Sequence, residues 1–248
     1  MTTMPDAVIL AGGAGLRLKS VTGNTPKPMA MIGKRPFLEL LMLQLRRNGF
    51  SRVILSVGQT QNAIHEHFGK AAFGMDLCYS LESSPLGTAG GLRQTSDHIT
   101  TDTALVMNGD SYTNVDLVRL VLAHLESGAD LTMVVIEGAR RDAGSVLVDK
   151  NGRVTAFAEK RIVQDSAYLS AGIYALNKNL VEGIPSDVKI SLEEELFPDW
   201  LARGKRIEAF VSASQCIDIG TPERFAQAQF LLANVETEGK LHQNEEWS

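Results

Sequence analysis

The order in which two kinds of apolar segment follow one another constrains this chain more than any other feature. "DAVILA" (6–11), "SRVILSVG" (51–58), "MDLCYSL" (75–81) and "TALVMNGD" (103–110) are apolar runs of strand length. Between them lie segments with apolar residues at helical spacing: "PFLELLMLQLRRNG" (36–49), closed by a capping glycine, the short "NAIHEHF" (62–68) and the glycine-rich "GTAGGLRQTSDHI" (87–99). "DLVRLVLAHLESG" (116–128), with an aspartate at its start, adds another helix. Strands buried on both faces read as unbroken apolar runs, and parallel strands need helical crossovers. The pattern predicts an α/β fold: a doubly wound, Rossmann-like three-layer sandwich on a mainly parallel mixed sheet.

After residue 130 the rhythm changes. "ADLTMVVIE", "GSVLVD", "RVTAFAE" and "YLSAGIYAL" read as strands with little helix between them, and "DKNGR" (149–153) reads as a hairpin turn. "SLEEELFPDWLARG" (191–204) predicts a helix capped by Ser191, with glutamates in its first turn. "IEAFVS" and "CIDIG" follow as strands, and "TPERFAQAQFLLANV" (221–235) as a closing helix with Pro222 in its first turn. With no repeat, low-complexity linker or composition break, one domain is expected over 1–236. Its halves divide near residue 130, and a polar tail covers 237–248.

Charge and cysteine usage exclude several function classes. A net charge of −5 gives no global basic field for nucleic acid or an anionic membrane, so any phosphate site must be local. Cys78 and Cys216 are too few and too far apart for a disulfide framework or a metal cluster, and read as buried thiols. No run has membrane length and no signal pattern opens the chain, which predicts a cytoplasmic location. His65 and His67, two residues apart on a helix, do not share a face, so a metal pair is not expected. No Ser-His-Asp or Cys-His arrangement is readable, which leaves a covalent nucleophile unsupported.

A local anion site is legible at the end of the first strand. Gly12, Gly13 and Gly15 can turn backbone N–H groups toward an anion, and Arg17 and Lys27 follow, the latter between two prolines. A Walker loop would require Gly-Lys-Ser/Thr where the chain has "GLRL". A dinucleotide fingerprint would require a helix at once, and "KSVTGNTPKPM" (19–29) carries no first-turn signal.

"GGAGLRL" (12–18), "TPKPM" (25–29), "PLGTAGG" (85–91), "LVMNGDS" (105–111), "FAEK" (157–160), "SAGIY" (170–174) and "DIGTPERF" (218–225) stand in one order and spacing. By these motifs nearly the whole chain resembles the sugar-1-phosphate nucleotidylyltransferases. The resemblance implies the nucleotide-diphospho-sugar transferase type of fold. It also implies a reaction in which a sugar 1-phosphate oxygen attacks the α-phosphorus of a nucleoside triphosphate and releases pyrophosphate. It gives Arg17 the departing pyrophosphate, Lys27 the phosphates at the reacting centre, and Asp110 a catalytic place. Mg²⁺ is the implied cofactor, held by Asp110 and Asp218. Nucleotide contacts are implied for Leu10, Ala11, Gly12, Gly13, Asn108 and Gly109, for Pro85, Gly87 and Thr88, and for Gln59. The sugar phosphate falls to Gly144, Glu159, Lys160, Ser170 and Gly172.

Glu159 and Lys160 are adjacent, so a regular strand would aim them to opposite faces, and a bulge or strand end is required. Two positions depart from the family pattern: Leu16 stands where threonine is usual, and Cys216 where an aromatic residue commonly precedes the aspartate. Within the family the chain looks closest to the compact guanylyltransferases that act on a heptose 1-phosphate. The expected partners are therefore GTP and D-glycero-α-D-manno-heptose 1-phosphate, with no nucleic acid or membrane, and a homodimer is the candidate assembly. The alternatives are a mannose-1-phosphate guanylyltransferase, a hexose or amino-sugar enzyme using UTP, CTP or dTTP, and a catalytically silent nucleotide-sugar-binding regulator.

Overall fold

A computed structural model of the chain describes residues 3–13, 15–23, 25–58, 61–138, 143–161 and 167–232. Gln59 and the expected polar tail lie outside the described residues. Among those described, a ten-stranded mixed sheet forms the centre. Its strands are β1 (Asp6–Leu10), β2 (Arg52–Val57), β3 (Ala71–Ala72), β4 (Met75–Leu81) and β5 (Thr103–Asn108). They continue with β6 (Leu131–Glu137), β7 (Ser145–Val148), β8 (Val154–Ala158), β9 (Tyr168–Asn177) and β10 (Ile207–Ser212). The order is β8-β7-β9-β5-β1-β2-β4-β3, with β6 also on β9 and β10 on β6. Only β3, β8 and β9 run against the rest, so the strands are mainly parallel.

Alternation along the strands makes the three layers. Ala7 and Ile9 of β1 and Leu105 and Met107 of β5 point to one face. There they meet Phe37, Leu41 and Leu45 of the helix Phe37–Arg47, and Leu117 and Val121 of the helix Leu117–Ser127. Val8, Ile54 and Val106 point to the other face, against Ala89 and Leu92 of the helix Gly87–Gln94 and the ring cluster Phe157, Tyr174, Phe197 and Trp200. These strand residues are fully buried, and each aliphatic side chain contributes about 1.5–3 kcal/mol by leaving water. Asp116 caps its helix by accepting from Arg119 N–H, as expected for an aspartate at that start. No described helix is long and apolar enough to cross a membrane.

Two local expectations are revised. After the glycine loop, a 3₁₀ turn (Leu16–Leu18) and one α-helical turn (Lys19–Thr22) form where no helix signal was read. They are too short to be a dinucleotide-type helix. The segment capped by Ser191 begins as a π-helical turn, Leu192–Leu196, before the α-helix Phe197–Ala202. Pro198 has no N–H for the Glu194 carbonyl, which interrupts the α ladder at this point. The closing helix runs Pro222–Leu231, and residues 233–235 of its expected span lie outside the described residues.

Candidate active site

The carboxyl ends of β1, β2, β4 and β5 share one edge of the sheet. The chain leaves β1 toward β2 and later returns to β5 on the other side, which opens a crevice at this switch point. A cavity of about 560 Å³ occupies it. Leu10, Ala11, Gly12 and Gly13 line it from the first loop, and Asn108 and Gly109 from the end of β5. Pro85, Gly87 and Thr88 close the third side.

Glu82 and Lys189 also line this cavity and lie outside every motif read from the sequence. Glu82 follows β4 and is only 8% exposed. Ser56 Oγ donates to its Oε1 (3.1 Å) and Leu86 N–H to its Oε2 (3.2 Å). A Cβ on Gly12 would collide with Oε1, so this glycine lets the loop lie directly over the carboxylate. An acidic residue ending an apolar strand just before "PLGTAGG" was the available signal. Thr88 is on the wall, but its hydroxyl is engaged by the protein: it donates to Glu193 Oε2 (2.6 Å) and accepts from Leu192 N–H (2.8 Å).

A second pocket, of about 190 Å³, adjoins the first and shares Arg17, Asn108, Asp110 and Gly220 with it. Gly144, Glu159, Lys160, Ser170 and Gly172 all line it. β8 ends at Ala158, and Lys160 takes a left-handed conformation (φ 54°), so both members of the Glu-Lys pair reach one pocket. The required strand end is there. Gly172 (φ 72°) sits in a bulge of β9, between Ser170 paired with Val135 and Tyr174 paired with Met133. Burial, and then the charge of Glu193, raise the Glu159 pKa above the ordinary carboxylate value, while Lys160 pulls it down. Lys160 pairs with Glu194 at 2.8 Å; both are more than half exposed, and water screens most of that attraction.

The charged residues converge where the cavities meet. Lys27 Nζ lies 2.5 Å from Asp110 Oδ2, and the Lys27 side chain is 11% exposed. A short ribbon, Ser111–Thr113 with Cys216–Asp218, pairs Ser111 with Asp218 and carries Asp218 back to Asp110 across the sequence. Ile219 N–H to Asp110 O (3.0 Å) ties the two segments. The position of a Gly220 Cβ would lie 2.9 Å from Asp218 Oδ1, 3.8 Å from Lys27 Nζ and 3.9 Å from Arg17 Nη2. Glycine keeps that point clear for both cations and Asp218, and Asp110 joins them through its pair with Lys27. Asp218 Oδ1 also accepts from Arg224 (3.0 Å).

Two carboxylates with hard oxygen donors suit Mg²⁺, which takes one or two carboxylates and completes its shell with phosphate oxygens and water. Among the described residues no cluster of three or more His, Cys, Asp or Glu could hold a metal by itself. The donor set fits an ion shared with a phosphate substrate.

Residues 6–234 match the family model described as nucleotidyl transferase. The chain is 37% identical over 229 residues to the mannose-1-phosphate guanylyltransferase of Mycobacterium tuberculosis; the match covers 91% of this chain but only 64% of that protein. It is 33% identical over 224 residues to the D-glycero-alpha-D-manno-heptose 1-phosphate guanylyltransferase of Aneurinibacillus thermoaerophilus, covering 90% of this chain and 96% of the relative. The crystal structure of HddC from Yersinia pseudotuberculosis is similar with a TM-score of 0.80 and 34% identity, over 92% of this chain and 99% of that one. Its complex with GMP-PN gives 0.79 over the same coverage. A family match over nearly all the described residues, joined to this crevice at the strand ends, makes the chain a member of the nucleotidyl transferase family.

Proposed function

We propose that the chain joins GTP to D-glycero-α-D-manno-heptose 1-phosphate, giving GDP-heptose and pyrophosphate. The meeting of two cavities at Arg17, Asn108, Asp110 and Gly220 carries this reading. A triphosphate in the larger cavity and a sugar phosphate in the smaller would be brought together where Arg17 and Lys27 stand. A phosphate oxygen of the sugar forms the new bond to the α-phosphorus, and the bond from that phosphorus to the bridging oxygen breaks. The attacking oxygen is already anionic, so no general base is required. Catalysis is then positioning and charge stabilisation: Arg17 on the departing pyrophosphate, Lys27 on the α-phosphate, Lys160 on the sugar phosphate. Mg²⁺ held by Asp110 and Asp218 would neutralise charge between the two anions. GTP is a cytoplasmic substrate, and the reading puts the chain in that compartment.

Glu82 supports guanine. A carboxylate only accepts hydrogen bonds, and each oxygen has lone-pair capacity beyond its one protein donor. Guanine offers two adjacent donors, N1–H and the 2-amino group. Uracil and thymine flank a single N–H with carbonyls, which would face the carboxylate unfavourably.

The heptose is supported by a relative that matches this chain along 96% of its own length. The smaller pocket also shares Ile136, Leu169 and Cys216 with a neighbouring groove of about 1200 Å³, on the side where Cys216 replaces the aromatic residue common in the family. The higher identity to the M. tuberculosis protein favours mannose 1-phosphate as the second reading. The sugars differ by one hydroxymethylene group. A pocket that hydrogen-bonds this group rejects the shorter sugar strongly, because its partners are left unpaired. The test is kcat/KM for both sugar 1-phosphates with GTP, and for the heptose with UTP, CTP, dTTP and ATP. The expected best pair is GTP and the heptose, with Glu82→Gln eroding the GTP preference. A preference for mannose or for another nucleotide overturns the substrate pair, and nucleotide binding without turnover favours the silent regulator.

A further inference from the structure

We propose that Glu193 is a second sugar-binding carboxylate, presenting Oε1 to a hydroxyl of the sugar ring in the pocket it shares with Glu159. The inference rests on the sugar-phosphate reading above and adds a residue that none of the sequence motifs assigned. Glu193 lines the smaller pocket together with Glu159, Ser170 and Gly172. Its two oxygens are unequally engaged. Oε2 accepts from Thr88 Oγ1 at 2.6 Å and from Ser191 Oγ at 3.1 Å. Oε1 accepts from Asn108 Nδ2 at a longer 3.3 Å. A carboxylate has about four acceptor directions, so Oε1 retains capacity.

The carboxylate is also held rigidly. Ser191 Oγ accepts from the N–H groups of Glu193 and Glu194 and pins the start of the π-helical turn. Thr88 Oγ1 accepts from Leu192 N–H, Ile190 N–H donates to Leu86 O, and Ala89 N–H donates to Ile190 O. The whole segment is therefore laced onto the glycine-rich helix of the nucleotide side. A group fixed before binding loses little entropy when it contacts a ligand.

Electrostatics argue against a purely structural clasp. Every hydrogen bond to the Glu193 carboxylate among the described residues comes from a neutral donor, and its charge bears on Glu159 in the same pocket. Keeping a half-buried anion beside another is unfavourable unless donors complete its shell. A glutamine with its oxygen at the Oε2 position would keep the Thr88 and Ser191 bonds without that repulsion. Sugar hydroxyls are neutral donors with the required chemistry.

The test compares the protein with Glu193→Gln, using GTP, the sugar 1-phosphate and its monodeoxy analogues. Folding of the variant is checked by thermal melting. The variant should raise KM for the sugar phosphate by about tenfold or more, the scale of a lost hydrogen bond to a charged group, while KM for GTP stays within about twofold. The penalty for removing a hydroxyl should vanish at one ring position and persist at the others. If the glutamine variant fails to fold, Glu193→Asp, which withdraws the charge by one methylene, should give the same single-position pattern. Parallel rises in both KM values, or deoxy penalties unchanged at every position, would overturn the proposal. Wild-type protein that turns over no sugar 1-phosphate would overturn the substrate reading as well, so the two failures are distinguishable.

Discussion

Replacing Lys27 with alanine separates charge that supports the fold from charge that acts on the transition state. The Lys27 side chain is 11% exposed and its partner Asp110 is 45% exposed. When the ammonium is removed, water can solvate the half-open carboxylate. The stability loss should therefore be about 1 kcal/mol, nearer the value of an exposed ion pair than the roughly 3–5 kcal/mol of a buried one. For a chain of this size that lowers Tm by about 2–4 °C. The catalytic loss should be larger. A preorganised charge acting on the developing phosphate charge contributes about 3 kcal/mol, or roughly a hundredfold in kcat. Pyrophosphate release at saturating GTP and sugar phosphate reads the second effect, and a thermal melt reads the first. A folded variant with kcat within a few-fold of wild type would refute the placement of Lys27. A Tm loss of about 10 °C or more, well beyond the exposed-pair value, would show that the pair is mainly structural.

Three other perturbations probe different levels. Asp6, at the opposite end of β1, accepts from Thr100 N–H (2.6 Å) and Thr100 Oγ1 (2.8 Å) and pairs with Arg52 (2.9 Å), its side chain 5% exposed. Asp6→Ala should lose about 3 kcal/mol and lower Tm by about 10 °C, with kcat per folded molecule unchanged. Gly172→Ala forces a side chain into φ 72° and puts its Cβ 2.9 Å from Asn108 Nδ2. It should cost about 1–3 kcal/mol in urea unfolding and raise KM for the sugar phosphate more than KM for GTP. His124 is buried between Thr132 and Asn177, and burial lowers its pKa from 6.5, with Asn177 and Asp130 opposing. Its neutral form is favoured in the fold, so the unfolded chain takes up the proton first. Unfolding free energy should fall as pH drops below about 6.5 and level off once the folded-state pKa is passed; His124→Gln should remove that part of the slope.

The layered fold was legible because periodicity reports which face is buried. The unbroken runs of β1, β2 and β5 could not belong to strands with a solvent face, and Val8 and Ile9 do reach opposite cores. The adjacency of Glu159 and Lys160 even demanded a bulge or a strand end, and the end of β8 at Ala158 supplies the latter. Motif order supplied the glycine loop, both cations and both aspartates, and these line the two adjoining cavities. Residues whose role depends on a distant neighbour were not legible. Glu82 reads as a turn residue until Gly12 is seen above it, and Glu193 reads as a first-turn glutamate favoured by the helix dipole. Thr88 lines the larger cavity, where the motif put it, and its hydroxyl is engaged with Leu192 and Glu193. A segment arriving a hundred residues later determines that contact, and no local pattern encodes it.

Attack of a sugar phosphate on GTP where the two cavities meet is the proposed reaction. It is tested most directly by phosphorus-31 NMR of one mixture: the protein, GTP, D-glycero-α-D-manno-heptose 1-phosphate and Mg²⁺. Equimolar pyrophosphate and GDP-heptose are expected, with no pyrophosphate when the sugar phosphate is omitted. Intact GTP, hydrolysis to GDP and inorganic phosphate, or pyrophosphate released without the sugar phosphate would contradict it.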